Sequence, residues 1–217
     1  MRIVFLGPPG AGKGTQAGRV ARRLGIPHVA TGDILRSEVA LGTDLGRKAS
    51  GYMAKGELVP DDVMVAMIRT RVQKEDCRSG FLLDGFPRTV SQAKALDEAL
   101  GTNRVQTVVH FEIEDEVVVR RLTGRRVCSQ CQAPYHLRAR PPAVEGVCDA
   151  CGGEIVQRED DDEDLVRNRL RVYREQTAPV IEHYRGAGSL VTVEAGRDIE
   201  SVEKFVMAAV EQAEGQE

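Results

Sequence analysis

Arg2-Ile3-Val4-Phe5-Leu6-Gly7-Pro8-Pro9-Gly10-Ala11-Gly12-Lys13-Gly14-Thr15 decides how this chain folds. The first five residues form a short apolar run ending in glycine, the pattern of a buried strand. From Gly14 to Leu24 the apolar positions recur at helical spacing, and Gly25-Ile26-Pro27 ends the helix. The residues between match G-x-x-x-x-G-K, the phosphate-binding loop. Its chemistry needs glycines, because successive backbone N–H groups must turn inward around an anion and a Cβ would obstruct them. The helix behind the loop adds its positive end, and Lys13 supplies a mobile cation for the β- and γ-phosphates of a nucleoside triphosphate. A plain Gly/Pro turn would need no lysine. The last position departs from the general motif: Gly14 stands where Ser or Thr is expected, and Thr15 follows one residue late. The hydroxyl that normally grips Mg²⁺ is therefore displaced.

Outward from this unit, strand and helix alternate. Phe81-Leu82-Leu83, Thr107 to Phe111 and Ser189 to Val193 read as further strands. Asp61 to Gln73, Ser91 to Leu100 and Ile199 to Ala213 read as helices, so the fold class is α/β with a parallel sheet covered by helices. Two stretches interrupt the alternation. Residues 31–60 contain short helical pieces expected to break at Gly42, Gly46, Gly51 and Gly56. Residues 124–164 have little periodicity and hold four of the five cysteines. There are no internal repeats.

The chain has 217 residues, 41% hydrophobic and 29% charged, ordinary values for a globular protein with room for a buried core. Its 30 Lys+Arg against 33 Asp+Glu offer no general attraction for nucleic acid or an anionic membrane. The N-terminus lacks the pattern of a signal peptide, and no apolar stretch has the length of a spanning helix. Cys128-Ser-Gln-Cys131 and Cys148-Asp-Ala-Cys151 lie sixteen residues apart, a four-cysteine zinc spacing that suits a reducing compartment; the expected location is the cytoplasm. Four thiolates leave no open position, so the metal is expected to be structural. A redox pair is the alternative, and Arg138 and Arg140 beside the cysteines leave a nucleic-acid-binding ribbon open. Against that stands the acidic run Glu159 to Asp164, read as the dipole-favoured start of a helix through Leu165 to Tyr184. Cys77 reads as a packing residue.

Gly7-Pro-Pro-Gly-Ala-Gly-Lys-Gly-Thr-Gln16, Thr31-Gly-Asp-Ile-Leu-Arg36 and Asp84-Gly-Phe-Pro-Arg-Thr89 occur in this order and spacing, and together they resemble the adenylate kinases over essentially the whole chain. The resemblance implies a phosphate-loop three-layer fold with a parallel five-stranded sheet flanked by helices. It further implies a core of 1–29, 61–123 and 165–217 carrying an AMP-binding insertion, 30–60, and a zinc-binding lid, 124–164. It implies Mg²⁺-dependent transfer of the γ-phosphoryl of ATP to AMP by a monomer. Gly10, Ala11, Gly12, Lys13, Gly14 and Thr15 would hold the ATP phosphates, with Arg121, Arg125, Pro134 and Tyr135 contacting ATP and Arg197 lying near adenine. Thr31, Arg36, Glu57, Leu58, Val59, Gly85, Phe86, Pro87, Arg88, Gln92, Arg158 and Arg169 would hold AMP. Asp33 and Asp84 would meet magnesium through water, and Cys128, Cys131, Cys148 and Cys151 would bind zinc. Lys13, Arg36, Arg88, Arg125, Arg158 and Arg169 would be catalytic. Planar guanidinium groups suit a monophosphate because they grip its oxygens in pairs. The side-chain amide of Gln92 can pair with a base edge, and with Thr31 it favours adenine over the uridylate and cytidylate relatives. Arg126, Arg167 and Arg171 are expected to be surface or ion-paired, and His136 a lid contact. Competing readings are a kinase of another nucleoside monophosphate and a phosphate-loop switch or ATPase, although no N-K-x-D motif is present.

Overall fold

The computed structural model describes residues 1–214. Five strands form one parallel sheet: β1 (Arg2–Leu6), β2 (His28–Ala30), β3 (Phe81–Asp84), β4 (Thr107–Glu112) and, in chain order after three short lid strands, β8 (Leu190–Glu194). Their spatial order is β2-β3-β1-β4-β8. Alternation along β1 explains why both faces are covered. Ile3 and Phe5 pack with α1 (Lys13–Leu24) and α9 (Ile199–Glu214) through Ala17, Val20, Val206 and Val210. Val4 and Leu6 pack on the opposite face with α4 (Asp61–Val72), α5 (Val90–Leu100) and α8 (Ala178–Gly186) through Ile68, Leu96 and Val180. The α/β sheet flanked by helices agrees with the sequence.

Several elements depart from the sequence reading. The edge strand β2 was not among the strands named, because three residues behind Pro27 carry no alternation; its pairing with β3 defines it. In the 31–60 stretch there are only two helices, α2 (Thr31–Ala40) and α3 (Asp44–Ala54), and neither Gly46 nor Gly51 breaks α3. Gly46 is a packing position: a Cβ there would lie 2.1 Å from the Glu38 carbonyl oxygen. Only the end of the acidic run begins the helical stretch, which continues from Glu163 to Gly186. Glu159–Asp161 forms a separate 3₁₀ turn, and Asp162 then caps α7 (Glu163–Val172) by accepting from the Asp164 N–H. The helical chain also changes register, through a π turn at Tyr173–Thr177 before α8. Pro179 has no N–H for the carbonyl four residues back, and a wider turn is one way a helix absorbs that gap.

Three short strands, β5 (Arg125–Cys128), β6 (Pro134–His136) and β7 (Ile155–Val156), form a separate antiparallel sheet in the order β6-β5-β7. It joins the rest through α6 (Asp115–Thr123) and α7, which pack through Val118, Leu122, Val166 and Leu170. No helix among the described residues is long and apolar enough to cross a membrane.

The two glycines of α3 should respond oppositely to alanine. Gly46→Ala is expected to destabilise by about 2 kcal/mol or more, because backbone must move to admit the methyl. At Gly51 the space is open, and Gly51→Ala should stabilise by about 0.5–1 kcal/mol through helix propensity. Urea unfolding of the two variants checks both signs.

Candidate active site

The phosphate loop leaves the carboxyl end of β1 and is pressed against its surroundings at two glycines. A Cβ on Gly7 (φ +146°) would lie 2.8 Å from the Phe111 carbonyl oxygen, and one on Gly10 (φ +76°) 2.8 Å from the Leu122 side chain. With β4 and α6 behind it, the loop has one shape available. Lys13 donates to the carbonyls of Gly7 and Pro8, at 2.7 and 2.8 Å, so its ammonium lies curled over the loop. Gly14 faces Asp84, at the end of β3: a Cβ at residue 14 would approach the Asp84 carboxylate to 3.2 Å. That space accounts for glycine where the general motif has a hydroxyl residue, and it is a cradle a side chain would fill. Asp84 also faces His28 Nε2, at 3.4 Å.

The second and third motifs meet directly. Gly85 (φ +82°) touches both Thr31 and Arg88, since a Cβ there would lie 2.8 Å from Thr31 Oγ1 and 3.1 Å from Arg88 Nη2. Thr31 is buried and donates to the Asp84 carbonyl at 3.2 Å, and Arg88 Nε donates to the Gly85 carbonyl at 2.7 Å. Phe86 is buried, and the Phe86–Pro87 bond is cis. Gln92, also buried, accepts from the Arg88 N–H and donates to Asp61, both at 2.7 Å. Those partners fix which end of the amide is which, and one donor and one acceptor remain for a ligand. Asp61 holds Thr89 as well, at 2.8 Å. The sequence reading missed this aspartate; its only signal was an acid just after Pro60 at a helix start. Arg36 pairs with Asp33 at 2.5 Å on exposed α2. Of Glu57, Leu58 and Val59, only Val59 is buried, and the preceding Gly56 abuts Arg169.

Across the cleft, the arginines flanking the lid converge. Arg125 forms a two-pronged pair with Asp161, at 2.6 and 2.7 Å, and Asp161 is fully buried. Arg169 reaches Asp160 at 3.0 Å and Asp161 at 3.5 Å. Arg158 has a buried Nε with no partner. These two aspartates correct the earlier reading of the acidic run: they are counter-ions, not helix-dipole acids. Their signal was adjacency to Arg158 in a run too acidic for one helix start.

Charges at this convergence are far from their ordinary values. Burial pushes the Lys13 ammonium down to about 8, aided by the charges of Arg88, Arg169 and Arg125 and opposed by Asp84. Burial, then Arg169, pushes Arg88 down to about 10; burial, then Arg125 and Arg36, does the same to Arg158. Arg169 is lowered chiefly by burial, and Arg121 is lowered by burial too. Burial raises Asp160, but Arg169, ahead of Arg125, Arg36 and Arg158, outweighs it and holds the carboxyl below its usual range. Cations gathered against their own repulsion and desolvation need an anion.

The four paired cysteines bring their sulfurs within 4.8 Å of one another. Cys128 to Cys151 is 3.5 Å and Cys131 to Cys148 is 3.6 Å, against about 3.8 Å between ligands of a tetrahedral zinc thiolate site. The two Cys-x-x-Cys turns repeat one geometry. Each first cysteine's carbonyl accepts from the residue after the second cysteine, Gln132 at 3.1 Å and Gly152 at 2.9 Å. Both of those residues have positive φ. The sulfurs share protons: hydrogen bonding with the Tyr135 hydroxyl lowers the Cys148 thiol, while at Cys131 the Ala133 N–H lowers the thiol but its bonds to Cys151 and Cys148 outweigh that and raise it. A metal binding there would displace those protons. The set fits zinc.

The remaining residues singled out along the sequence have the following partners. Tyr135 is buried and turns its hydroxyl to Cys148 and the Asp149 N–H, while Pro134 beside it is exposed. Arg197 pairs with Glu194 at 2.8 Å and lies over the Phe205 ring at 5.2 Å. His136 accepts from the Arg138 and Ala139 N–H groups, outside the cysteine cluster. Arg167 pairs with Glu116 and Glu163, Arg171 pairs with Glu175, and Arg126 donates to the Thr123 and Arg125 carbonyls. Cys77 is buried in the core.

The adenylate kinase family model matches residues 5–189. The chain belongs to the adenylate kinase family. An adenylate kinase of Archaeoglobus fulgidus is 52% identical over 213 residues, 97% of this chain and 98% of its own length. One from Caldicellulosiruptor bescii is 50% identical, with 97% and 99% covered. One from Moorella thermoacetica is 52% identical, with 93% and 94% covered. The family's enzymes are phosphotransferases acting between ATP and AMP, and this member has that activity.

The Lys13 shift sets a pH dependence. Its folded value lies below the ordinary 10.5, so the cost of keeping it charged is fully present below about 8 and is relieved as pH rises to 10.5. Over that interval the nucleotide-free protein should gain stability relative to Lys13→Met. Denaturant unfolding of both proteins between pH 7 and 10.5 should show the gap moving in that direction.

Proposed function

We propose that this adenylate kinase binds ATP on the phosphate loop and AMP on the Thr31, Arg36 and Gly85–Arg88 face, and transfers the γ-phosphoryl directly between them. The observation that carries this assignment is the meeting of the motifs: Gly85 brings Thr31 and Arg88 together directly after Asp84, and Asp84 faces Gly14 of the phosphate loop. An oxygen of the AMP phosphate forms a bond to the γ-phosphorus as the bond from that phosphorus to the β-bridging oxygen breaks. Electrons of the broken bond remain on the departing ADP, and the acceptor becomes the second ADP. No covalent enzyme intermediate is required. Catalysis by this chain is alignment and charge neutralisation.

In this reading the loop N–H groups from Gly10 to Thr15 and the Lys13 ammonium hold the donor phosphates. Arg36 and Arg88 hold the acceptor phosphate, Thr31 and Gln92 face its base, and residues 57–59 close the pocket. Arg125, Arg158 and Arg169 exchange Asp160 and Asp161 for phosphate oxygens during the reaction. Arg121, Pro134, the Tyr135 main chain and the turn at Arg197 contact ATP. Magnesium bound with the triphosphate supplies charge neutralisation on its oxygens; Asp84, beside the space at Gly14, and Asp33 would hold its waters. Zinc is the metal assigned to the four cysteines, with a structural role. The insertions at 30–60 and 124–164 act as covers that exclude water, since an exposed site would hydrolyse ATP. The enzyme works as a cytoplasmic monomer.

Acceptor choice is the sharpest test. With ATP and magnesium, AMP should be converted at least a hundredfold more efficiently than GMP, CMP or UMP. A preferred pyrimidine acceptor would remove the adenine assignment of Thr31 and Gln92. Arg88→Ala should lower kcat by two orders of magnitude or more with the fold intact, as expected for lost electrostatic stabilisation of the transition state. Elemental analysis of protein purified under reducing conditions should find about one zinc per chain, from the four-ligand geometry. Chelation should lower the melting temperature while leaving the chemistry largely in place.

A further inference from the structure

Gln16 takes no part in the phosphate contacts, yet it is 3% exposed inside the apolar seam between α1 and α9. Its Nε2 donates to the Ile199 carbonyl at 2.8 Å, and its Oε1 is buried without a partner. An unmet buried acceptor costs about 1–3 kcal/mol. The seam does not need the amide, because Ala17 and Val20 already pack with Val206 and Val210. What the amide adds is a fixed point for the turn between β8 and α9. The other end of that turn is tied by the Ala195 N–H to the Glu112 carbonyl at 2.8 Å. Beside this second tie lies an open cleft of about 520 Å³, lined by Glu112, Ile113, Glu114, Val117, Glu194 and Gly196. Its floor is the β4–α6 connection, the segment that follows Phe111, on which Gly7 rests.

We infer that Gln16 is a positioning residue for the donor nucleotide. It holds the 195–198 turn at the base end of the donor site, and its free acceptor is kept for a hydrogen-bond donor that arrives with the nucleotide. This rests on the donor-site reading above, in which the turn at Arg197 lies beside the base. A residue serving only the helix seam would be apolar. An amide with one group tied to the turn and the other unmet joins the phosphate helix to the far side of the same ligand.

Gln16→Met, nearly the same size and apolar, isolates the role. The KM for ATP should rise about fivefold, the effect of one lost neutral hydrogen bond, while the KM for AMP and kcat stay within twofold. Backbone amides of 195–199 should exchange with solvent faster in the nucleotide-free variant. Gln16→Glu keeps the length but has no amide N–H to donate, so it should release the turn in the same way. An unchanged KM for ATP in both variants overturns the inference. So does an equal rise in both KM values together with a lower melting temperature, which marks a merely structural residue. In the wild-type protein, β,γ-methylene-ATP should protect the 195–199 amides. Absence of that protection overturns the donor-base reading itself. Protection there with an unchanged KM in the variants overturns Gln16 alone.

Discussion

Mutual repulsion among buried cations is the constraint around which the site is built. Lys13, Arg88, Arg158 and Arg169 are all pushed below their ordinary values by burial and by neighbouring cations, Arg125 and Arg36 among them. Such a cluster would open toward water unless something held it. Asp84, Asp160 and Asp161 do so, and Asp161, fully buried, is bound by two prongs to Arg125. A buried pair of this kind adds little net stability, but losing one partner leaves a charge stranded at high cost. In the proposed reaction the aspartates stand in for phosphate, keeping the guanidinium groups gathered until a multiply charged anion displaces them.

The fold serves this gathering. The phosphate loop and Asp84 come from carboxyl ends of adjacent parallel strands β1 and β3, where a doubly covered sheet opens its binding crevice. Arg88 follows from β3 through the tight Gly85 contact, while Arg125 and Arg169 arrive on β5 and α7, on either side of the cysteine sheet. Fixing the four cysteines at one geometry therefore fixes the separation of Arg125 from Arg158 and Arg169. This ties the four-cysteine cluster to the chemistry without placing it in the chemistry.

Much of this was legible along the chain. Apolar runs located β1, β3, β4 and β8 to within a residue or two, since a strand buried on both faces reads as a continuous apolar stretch. The resemblance named Thr31, Gly85 and Arg88 together, and the fold brings these three into contact. What failed had a common cause. β2 is three residues long and exists by pairing with its neighbour. Gly46 was read as a breaker because local propensity cannot register the Glu38 backbone 2.1 Å from its missing methyl. Asp160 and Asp161 were read as dipole partners because their actual partners lie 36 residues back and nine ahead.

By itself the sequence determined the α/β class, the triphosphate loop, the two-nucleotide reaction and the four-sulfur site. The class, the loop and the sulfur site rest on groups close along the chain whose chemistry is set by type and spacing, whereas the reaction was implied by the resemblance of three ordered motifs to the adenylate kinases. Only the tertiary structure decided which carboxylates hold which arginines, that Tyr135 serves the cysteines, that Gln92 is oriented by Asp61, and that Gln16 reaches across to Ile199. Those are choices among many chemically equivalent partners. Distance in the folded chain selects among them, and it selects through burial, which turns weak attractions in water into strong ones.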